Sequence, residues 1–283
     1  MPSELIYNYM RIDHLPHIWC AGCGNGVLTH DVVRAIDSLC NDPDRPIPRE
    51  KVVIVSGIGC SSRAAGYLDF NSMHTTHGRA IAFASGIKIA NPELTVVVIT
   101  GDGDCAAIGG NHLIHACRRN IDLTVVVFNN EIYGMTGGQY SPTTPRGDKG
   151  TTAVYGVVDR PFDIAALAAG AGASFTARGD VYHVKETTEL IRQGIRHKGF
   201  SLIDCRSVCP TYYGRKNKKG DAVQMLKWQK ENGLPMKQYR ALPPEQRADK
   251  YALGILSRNE YPEYTEEYQK IIEMAMAEKG KEK

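Results

Sequence analysis

Three segments of the chain are short, β-branched and almost continuously apolar, and they span 51–57, 94–100 and 123–129. This pattern is typical of strands that are buried on both faces, as in a parallel sheet. Weaker strands are predicted at Ala173–Ala177 and Leu202–Ser207. The pattern therefore predicts a sheet at the centre of the molecule.

Helical candidates lie between these strands. Val27–Leu39 carries Val32, Val33 and Ile36 on one face, as an amphipathic helix does. The other candidates are Arg79–Ala90, Ala106–Arg118, Phe162–Ala169 and Val184–Arg196. Because strands alternate with helices, the sequence predicts βαβ units and an α/β fold with a doubly wound, mostly parallel sheet.

Two parts of the chain lack this alternation. Residues 131–161 are rich in Gly, Pro, Thr and Tyr without a periodic pattern, which is typical of a loop that covers a ligand. After residue 210 a basic run at 215–219 leads into a polar, Pro-punctuated tail. We expect residues 1–210 to form the folded domain. Residues 211–283 are expected to form an irregular extension that packs on a partner subunit, with a helix at Tyr264–Ala277.

Composition narrows the class of protein. The 283 residues carry a formal net charge of +3, which is too small to indicate nucleic acid as the main partner. No N-terminal stretch has the form of a signal peptide. No apolar run approaches the roughly 20 residues that a membrane helix needs. A cytoplasmic protein without a membrane segment is expected.

Two polar motifs follow neighbouring strands. The sequence Gly101-Asp102-Gly103-Asp104 comes directly after the strand at 94–100, and Asn129-Asn130 ends the next one. Ligands of an open parallel sheet collect outside the carboxyl ends of its strands. Glycines let backbone amides approach phosphate, and Mg²⁺ prefers oxygen ligands such as carboxylate and amide groups. The two motifs predict a site for a magnesium-bound diphosphate.

The eight cysteines divide into two groups. Disulfides are not expected in an intracellular chain of this size. Regular segments contain Cys40, Cys105, Cys117 and Cys205, whereas Gly- or Pro-marked turns contain Cys20, Cys23, Cys60 and Cys209. Thiols of the first group are expected to behave as small buried hydrophobes. Four thiolates at turns suit either Zn²⁺ or an iron–sulfur cluster. Only Cys20 and Cys23 are close in sequence, which favours a cluster over a zinc ribbon.

Several motifs together resemble the β-subunits of 2-oxoacid:ferredoxin oxidoreductases, which bind thiamine diphosphate. In chain order they are WCAGCG at 19–24, GIGCS at 57–61, HTTHGRA at 74–80, GDGD at 101–104, NNEIYGMTGGQYSPTT at 129–144 and a late cysteine in a Ser-Val-Cys sequence. The resemblance covers roughly residues 15–215. It implies that residues 1–210 are the thiamine-diphosphate-binding domain and include an iron–sulfur site.

The resemblance also implies a set of site residues. Mg²⁺ would be held by Asp102, the side chain of Asn130 and the carbonyl of Ile132. Cofactor contacts would come from Ile58, Gly59, Cys60, Ser61, His77, Gly101, Gly103, Asp104, Met135 and Thr136. One four-iron four-sulfur cluster would be ligated by Cys20, Cys23, Cys60 and Cys209, with Cys205 as the alternative fourth ligand. Arg63 is a candidate for binding the substrate carboxylate.

The implied activity is the coenzyme A-dependent oxidative decarboxylation of a 2-oxoacid, or its reversal, with ferredoxin as electron acceptor. The motifs most resemble 2-oxoglutarate enzymes, whereas pyruvate and branched-chain types are alternatives. This chain has room for one cofactor-binding α/β unit only. An α-subunit is therefore expected to supply the pyrimidine-binding domain, its activating carboxylate and most of the coenzyme A site. Two more distant alternatives are a cluster-free thiamine-diphosphate lyase or decarboxylase, and a zinc-bearing interaction module.

Overall fold

The computed structural model describes residues 4–281 and contains one eight-stranded sheet and a small two-stranded hairpin. The strands of the sheet are β1 (Val52–Ser56), β2 (Asn71–His74), β3 (Thr95–Gly101), β4 (Thr124–Asn129), β7 (Phe175–Asp180), β8 (Ser201–Arg206), β9 (Gly233–Pro235) and β10 (Tyr251–Arg258). The hairpin consists of β5 (Ile132–Tyr133) and β6 (Gln139–Tyr140). The spatial order in the sheet is β2-β1-β3-β4-β8-β7-β10-β9.

The sheet is parallel from β2 through β7, and β10 pairs antiparallel with β7. The carboxyl ends of β1, β3, β4 and β8 consequently lie along one edge. Because side chains alternate between the two faces of a strand, each of these strands contributes to two separate cores.

Helices cover both faces of the sheet. They are α1 (Glu4–Tyr9), α2 (Asn25–Cys40), α3 (Ala64–Tyr67), α4 (Ala80–Ala90), α5 (Gly110–Arg119), α6 (Ile164–Gly170), α7 (Val184–Arg196), α8 (Ala222–Asn232), α9 (Met236–Ala241) and α10 (Tyr264–Lys281). One core joins α2 and α7 to the sheet, and the other joins α4, α5 and α6 to its opposite face. This arrangement confirms the predicted doubly wound α/β fold.

The predicted strands and helices in residues 1–210 are present within a few residues of their expected bounds. The main difference at a strand end is a π-helical turn at Gly103–Ile108, which precedes α5, whereas the sequence predicts one continuous helix there.

The edge strand β2 is not apparent from the sequence. All four residues of β2 are exposed, since it lies at the edge of the sheet, so the strand carries no apolar pattern.

The C-terminal extension is more regular than expected. It contains three helices and two strands, and β10 extends the main sheet of this chain. Gly254, with φ of 107°, and a register shift between Ile255 and Ser257 interrupt the alternation of β10, which explains why its sequence pattern is weak. Part of the extension therefore packs on its own chain. Packing of the remainder on a partner subunit stays a prediction.

Within residues 4–281, none of the helices combines the length and the apolar character that a membrane crossing requires.

Candidate functional site

The crevice of the fold lies between β1 and β3. From β1 the chain first goes to β2 on one side, then crosses to β3 on the other side of β1. At such a reversal of strand order the two following loops diverge and leave an opening outside the carboxyl ends. Residues 57–61 follow β1, and residues 102–104 follow β3. The structure thus brings the GIGCS segment after β1 and the GDGD segment after β3, both predicted to contact the cofactor, to the same opening.

Asp104 connects three segments around this opening. Its Oδ1 accepts hydrogen bonds from Gly78 N at 2.7 Å and from Ile58 N at 3.3 Å. The Nδ1 atom of His77 lies 2.5 Å from the same oxygen. Thr100 Oγ1 donates to the other carboxylate oxygen at 2.8 Å. His77, the predicted cofactor contact, is thereby oriented at the crevice by a buried carboxylate.

Asp102 lies beside Asp104 but faces a different set of hydroxyl groups. Its carboxylate is 2% exposed and accepts a hydrogen bond from Thr143 Oγ1 at 2.6 Å. Burial raises the pKa of Asp102 to about 6, although hydrogen bonds from Ser141 and Thr143 act in the opposite direction. A metal ion at this position would favour the charged form, as a positive charge does beside any carboxylate.

Asn130 and Ile132 form a tight turn directly after β4. The Ile132 N–H donates to Asn130 Oδ1 at 3.2 Å, and both residues are buried. Glu131, between them, has a left-handed backbone with φ of 61°. A carboxylate, an amide oxygen and a backbone carbonyl are hard oxygen donors, which suit Mg²⁺. The donor types at 102, 130 and 132 therefore fit the ion predicted from the sequence.

Two glycines at the crevice cannot carry a side chain. A Cβ on Gly57 would lie 2.1 Å from Asp104 Oδ2, and one on Gly103 would lie 2.2 Å from the Tyr133 ring. Both contacts are shorter than real Cβ atoms make. The requirement for glycine thus comes from the close approach of Asp104 and Tyr133 to the backbone.

The remaining predicted cofactor and substrate residues lie in the segment after β1, at the end of β3 and in the β5–β6 hairpin loop. Gly59, Cys60 and the buried Ser61 follow β1, and Gly101 ends β3 with Ser61 close by. The side chains of Ile58 and Met135 are exposed. Thr136 forms a hydrogen bond with Gln139 inside the hairpin loop. Arg63 is exposed in the turn after Cys60 and has no ion-pair partner among residues 4–281.

The Cys20–Cys23 turn is attached to two strand ends. Gly24 N donates to Val208 O at 3.0 Å, which joins the turn to the segment after β8. Trp19 Nε1 donates to Cys60 O at 2.7 Å, which joins it to the segment after β1. These contacts bring together cysteines that are far apart in the chain, since Cys20 and Cys209 are separated by 189 positions.

The thiols of Cys60 and Cys209 face a common point. A Cβ built on Gly134 would lie 3.4 Å from Cys60 Sγ and 3.8 Å from Cys209 Sγ. Backbone N–H groups approach the sulfurs of Cys23, Cys60 and Cys209. Among residues 4–281, no three His, Cys, Asp or Glu side chains are close enough to share one metal ion. Besides burial, repulsion between the neighbouring thiolates contributes to the raised pKa values of Cys23, Cys60 and Cys209, so the four thiols lie near one another.

Cys205 differs from these four. It is fully buried within β8 in the core against α2 and α7, and its Sγ lies 3.8 Å from Ile203 O.

Burial raises the pKa of Cys23 to about 12 and that of Cys60 to about 11. Deprotonation of these thiols therefore needs a compensating positive charge, which iron or zinc supplies on binding.

The hydroxyl groups behind Asp102 are not apparent from the sequence. Thr143 and Ser141 lie 14 and 12 residues after Asn129, in a loop whose composition predicts only a covering role. Thr143 Oγ1 also lies 3.0 Å from Asn129 Oδ1, and Asn129 Nδ2 donates to Asp204 at 3.0 Å. The Ser-Pro-Thr-Thr sequence at 141–144 was the available signal. Its partner could not be identified without the fold.

Several known proteins are similar in sequence to this chain. Residues 57–205 match the family described as "Thiamine pyrophosphate enzyme, C-terminal TPP binding domain". The chain is 51% identical to "2-oxoglutarate synthase subunit KorB" of Methanocaldococcus jannaschii, over 95% of this chain and 98% of that protein. It is 41% identical to "2-oxoacid:ferredoxin oxidoreductase subunit beta" of Saccharolobus solfataricus, over 87% of this chain and 79% of that protein.

A solved structure is similar over nearly the whole chain. It is the 2-oxoglutarate:ferredoxin oxidoreductase from Magnetococcus marinus with 2-oxoglutarate, coenzyme A and succinyl-CoA bound. The TM-score is 0.83 at 31% sequence identity, and the match covers 97% of this chain and 92% of that one.

Proposed function

Since the chain belongs to the KorB family of 2-oxoglutarate synthase β-subunits, whose fold binds thiamine diphosphate, we propose that it forms the cofactor half of a heteromeric 2-oxoglutarate:ferredoxin oxidoreductase. The enzyme converts 2-oxoglutarate and coenzyme A to succinyl-CoA and CO₂, and two electrons pass one at a time to ferredoxin. The reverse carboxylation uses the same groups. The observation that supports this most is that Asp102 and the Asp104–His77 pair follow β3 at the crevice. Thr143, which donates to Asp102, also lies 3.0 Å from Asn129, the residue before Asn130.

The residues of this chain hold the reactants in defined ways. Asp102, Asn130 and the carbonyl of Ile132 ligate Mg²⁺, which neutralises the diphosphate of the cofactor. Asp104 holds His77 toward the cofactor and keeps the loops after β1 and β3 together. When bound, thiamine diphosphate supplies the carbon nucleophile and the electron sink for decarboxylation. Met135 and Thr136 cover the diphosphate, and the exposed Arg63 binds a substrate carboxylate.

The four cysteines ligate one four-iron four-sulfur cluster. Their distribution along the chain supports a cluster more than a single Zn²⁺, because only Cys20 and Cys23 are close in sequence, whereas structural zinc sites draw their ligands from closely spaced pairs. The backbone N–H groups that approach three of the sulfurs stabilise a charged cluster and influence its reduction potential. Gly134 and the Cys60 turn lie between this site and the diphosphate crevice, so electrons have a short path between the two cofactors.

An α-subunit completes the active site. It supplies the pyrimidine-binding domain, the carboxylate that activates the cofactor, and most of the coenzyme A site. The alternative substrates are pyruvate and branched-chain 2-oxoacids, and the names of the most similar relatives favour 2-oxoglutarate.

The test is anaerobic co-expression of the chain with an α-subunit. We expect a brown heteromer that contains about four iron atoms per chain. It should reduce ferredoxin with 2-oxoglutarate in preference to pyruvate or branched-chain 2-oxoacids. The chain alone should bind Mg²⁺ and thiamine diphosphate but show little turnover. Full activity of the chain alone would refute the need for an α-subunit. A colourless, active heteromer would indicate a cluster-free enzyme, and zinc without cofactor binding would indicate an interaction module.

A further inference from the structure

A basic loop projects from the cysteine site without contributing to the cofactor crevice. Residues 215–219 contain four cations, namely Arg215, Lys216, Lys218 and Lys219, all of which are exposed. Lys149 lies beside them, because Asn217 forms hydrogen bonds to its backbone N–H and carbonyl at 2.7 and 3.1 Å. Arg146 lines the same cavity as Lys218 and Lys219. We call these six residues the cationic patch.

The patch has a large excess of positive charge. Of its six members only Lys219 has an acidic partner, Asp148, at 3.3 Å. That carboxylate also accepts a hydrogen bond from Tyr213 Oη at 2.5 Å. The other five cations have no carboxylate within ion-pair distance among residues 4–281. Clustered cations repel one another, so such a patch is stabilised by an acidic partner.

The patch is fixed close to the sulfur site. Both ends of the segment that carries residues 215–219 contact the Cys20–Cys23 turn, since a Cβ on Gly22 would lie 2.6 Å from Ala222 Cβ and 3.6 Å from Pro210 Cγ. Gly214 N donates to Cys209 O at 2.9 Å, and Lys219 N donates to Gly214 O at 2.9 Å. The loop is therefore held at both ends close to Cys209 and to the turn that carries the exposed Cys20.

We propose that the cationic patch is the docking surface for an acidic, ferredoxin-type electron carrier. This inference depends on the proposed function, because it uses the cluster at Cys20 and Cys209 as the electron donor. Two requirements of such a partner are met at one place. Long-range attraction orients an acidic protein before contact, and the basic loop is anchored on the turn that carries Cys20, the exposed thiol of the sulfur site. No covalent step is involved, since one electron passes per encounter.

The test uses the intact heteromer with Arg215→Gln and Lys216→Gln combined. Neither side chain has an ion-pair partner among the described residues, so the variant should fold normally. The matched control combines Arg118→Gln and Arg119→Gln, which removes the same charge from an exposed pair at the end of α5. That pair precedes β4 and therefore lies at the opposite edge of the sheet.

Two measurements report on docking. The first is the affinity for oxidised, acidic ferredoxin by calorimetry at low and high salt, which does not depend on turnover. The second is the association rate by stopped flow. At low salt we expect the patch variant to associate about tenfold more slowly than wild type. The difference should shrink at high salt because exposed charges are screened. The control should match wild type.

Reduction of a small viologen dye separates this inference from the proposed function. The dye is cationic and needs no cationic patch, so the patch variant should reduce it as fast as wild type. Unchanged ferredoxin binding at low salt would overturn the docking surface. The docking surface would also be overturned if the variant failed to assemble with the α-subunit, or if coenzyme A competed with ferredoxin for the patch. Wild-type heteromer that reduces neither dye nor ferredoxin would instead refute the proposed function itself.

Discussion

Single hydroxyl groups determine how the crevice presents its carboxylates. Thr143 Oγ1 is within hydrogen-bond distance of both Asp102 and Asn129, although a hydroxyl can donate to only one of them at a time. Asn129 in turn donates to Asp204, which accepts from Arg178 Nε at 3.0 Å. The proposed magnesium ligand Asp102 is thus oriented by the Thr143 hydroxyl when that group donates to it, and Asn129, Asp204 and Arg178 form a buried polar network beside this pair.

Removing the Thr143 hydroxyl should weaken metal binding. Thr143→Val preserves the shape of the side chain but leaves Asp102 without this donor, and loss of such a partner typically costs about 10- to 100-fold in metal affinity. Titration of Mg²⁺ in the presence of thiamine diphosphate measures the effect. Thr143→Ser retains a hydroxyl and should stay close to wild type. If the valine variant bound Mg²⁺ as tightly as the serine variant, Thr143 would have no positioning role.

The two late cysteines should respond differently to substitution. Cys209→Ala should abolish the broad visible absorption of anaerobically purified protein, because it removes a sulfur that faces Cys60. Cys205→Ala should retain the colour and cost stability only, by roughly 1–3 kcal/mol for a buried large-to-small change. Iron analysis and a visible spectrum distinguish the variants. If Cys205→Ala lost its iron while Cys209→Ala retained it, Cys205 rather than Cys209 would be the fourth cluster ligand.

At the scale of elements, β10 joins the C-terminal extension to the main sheet. Tyr251 Oη at its start donates to Asp180 Oδ2 at the end of β7, over 2.8 Å. Asp180 is completely buried and also accepts from the backbone N–H groups of Tyr182 and His183. The ring of Tyr251 lies 4.5 Å from the guanidinium carbon of Arg206. The extension is therefore attached to the domain by polar contacts as well as by strand pairing.

Loss of the Tyr251 hydroxyl should destabilise this attachment. Tyr251→Phe leaves a buried carboxylate oxygen with one donor fewer, and we expect the free energy of unfolding to fall by about 1–3 kcal/mol. Tyr261→Phe is a suitable control, because the Tyr261 side chain is half exposed and only its backbone carbonyl accepts a hydrogen bond. Urea denaturation compares the two. Equal midpoints for both variants would contradict the importance of the Tyr251–Asp180 contact.

At the scale of the whole molecule, one buried carboxyl makes stability dependent on pH. Asp31 in α2 is completely buried and accepts a hydrogen bond from Thr188 Oγ1 of α7 at 3.2 Å. Its Oδ2 has no hydrogen-bond partner among residues 4–281. Burial raises the pKa of Asp31 to about 7, while the Thr188 hydrogen bond and Arg34 act in the opposite direction.

The sign of the pH effect follows from this raised pKa. The folded protein keeps the proton on Asp31 up to about pH 7, whereas the unfolded chain releases it near 3.8. The unfolded state therefore binds fewer protons across this window, and the free energy of unfolding falls as the pH rises through it. Asp31→Asn removes the titration. The free energy of unfolding of the Asp31→Asn variant, relative to that of wild type, should increase with pH by at most roughly 4 kcal/mol.

Denaturation of both proteins at several pH values between about 5 and 8 measures this difference. Other titrating groups contribute to both proteins alike and cancel in the comparison. Parallel stability profiles would show that Asp31 titrates normally in the folded protein.

Local sequence was sufficient for much of the fold and for part of the site. Burial on both faces produces continuous β-branched segments, so β1, β3 and β4 were recognisable without coordinates. Parallel strands share a carboxyl edge, and for that reason the motifs after β3 and β4 could be assigned to one opening. The four turn cysteines were likewise distinguishable from those within regular segments. Their role as cluster ligands stays a prediction.

Other features were decided only by tertiary structure. Edge strand β2 is polar because one side of it faces solvent, and β10 is interrupted by Gly254, so neither has a periodic signal. Thr143 reaches Asp102 across 41 positions of the chain, and Ala222, just after the basic loop, packs against Gly22 across about 200. The pattern of apolar residues in the sequence indicates only whether a residue is buried. Which distant group it meets depends on how the layers pack, and that packing is set by the chain as a whole.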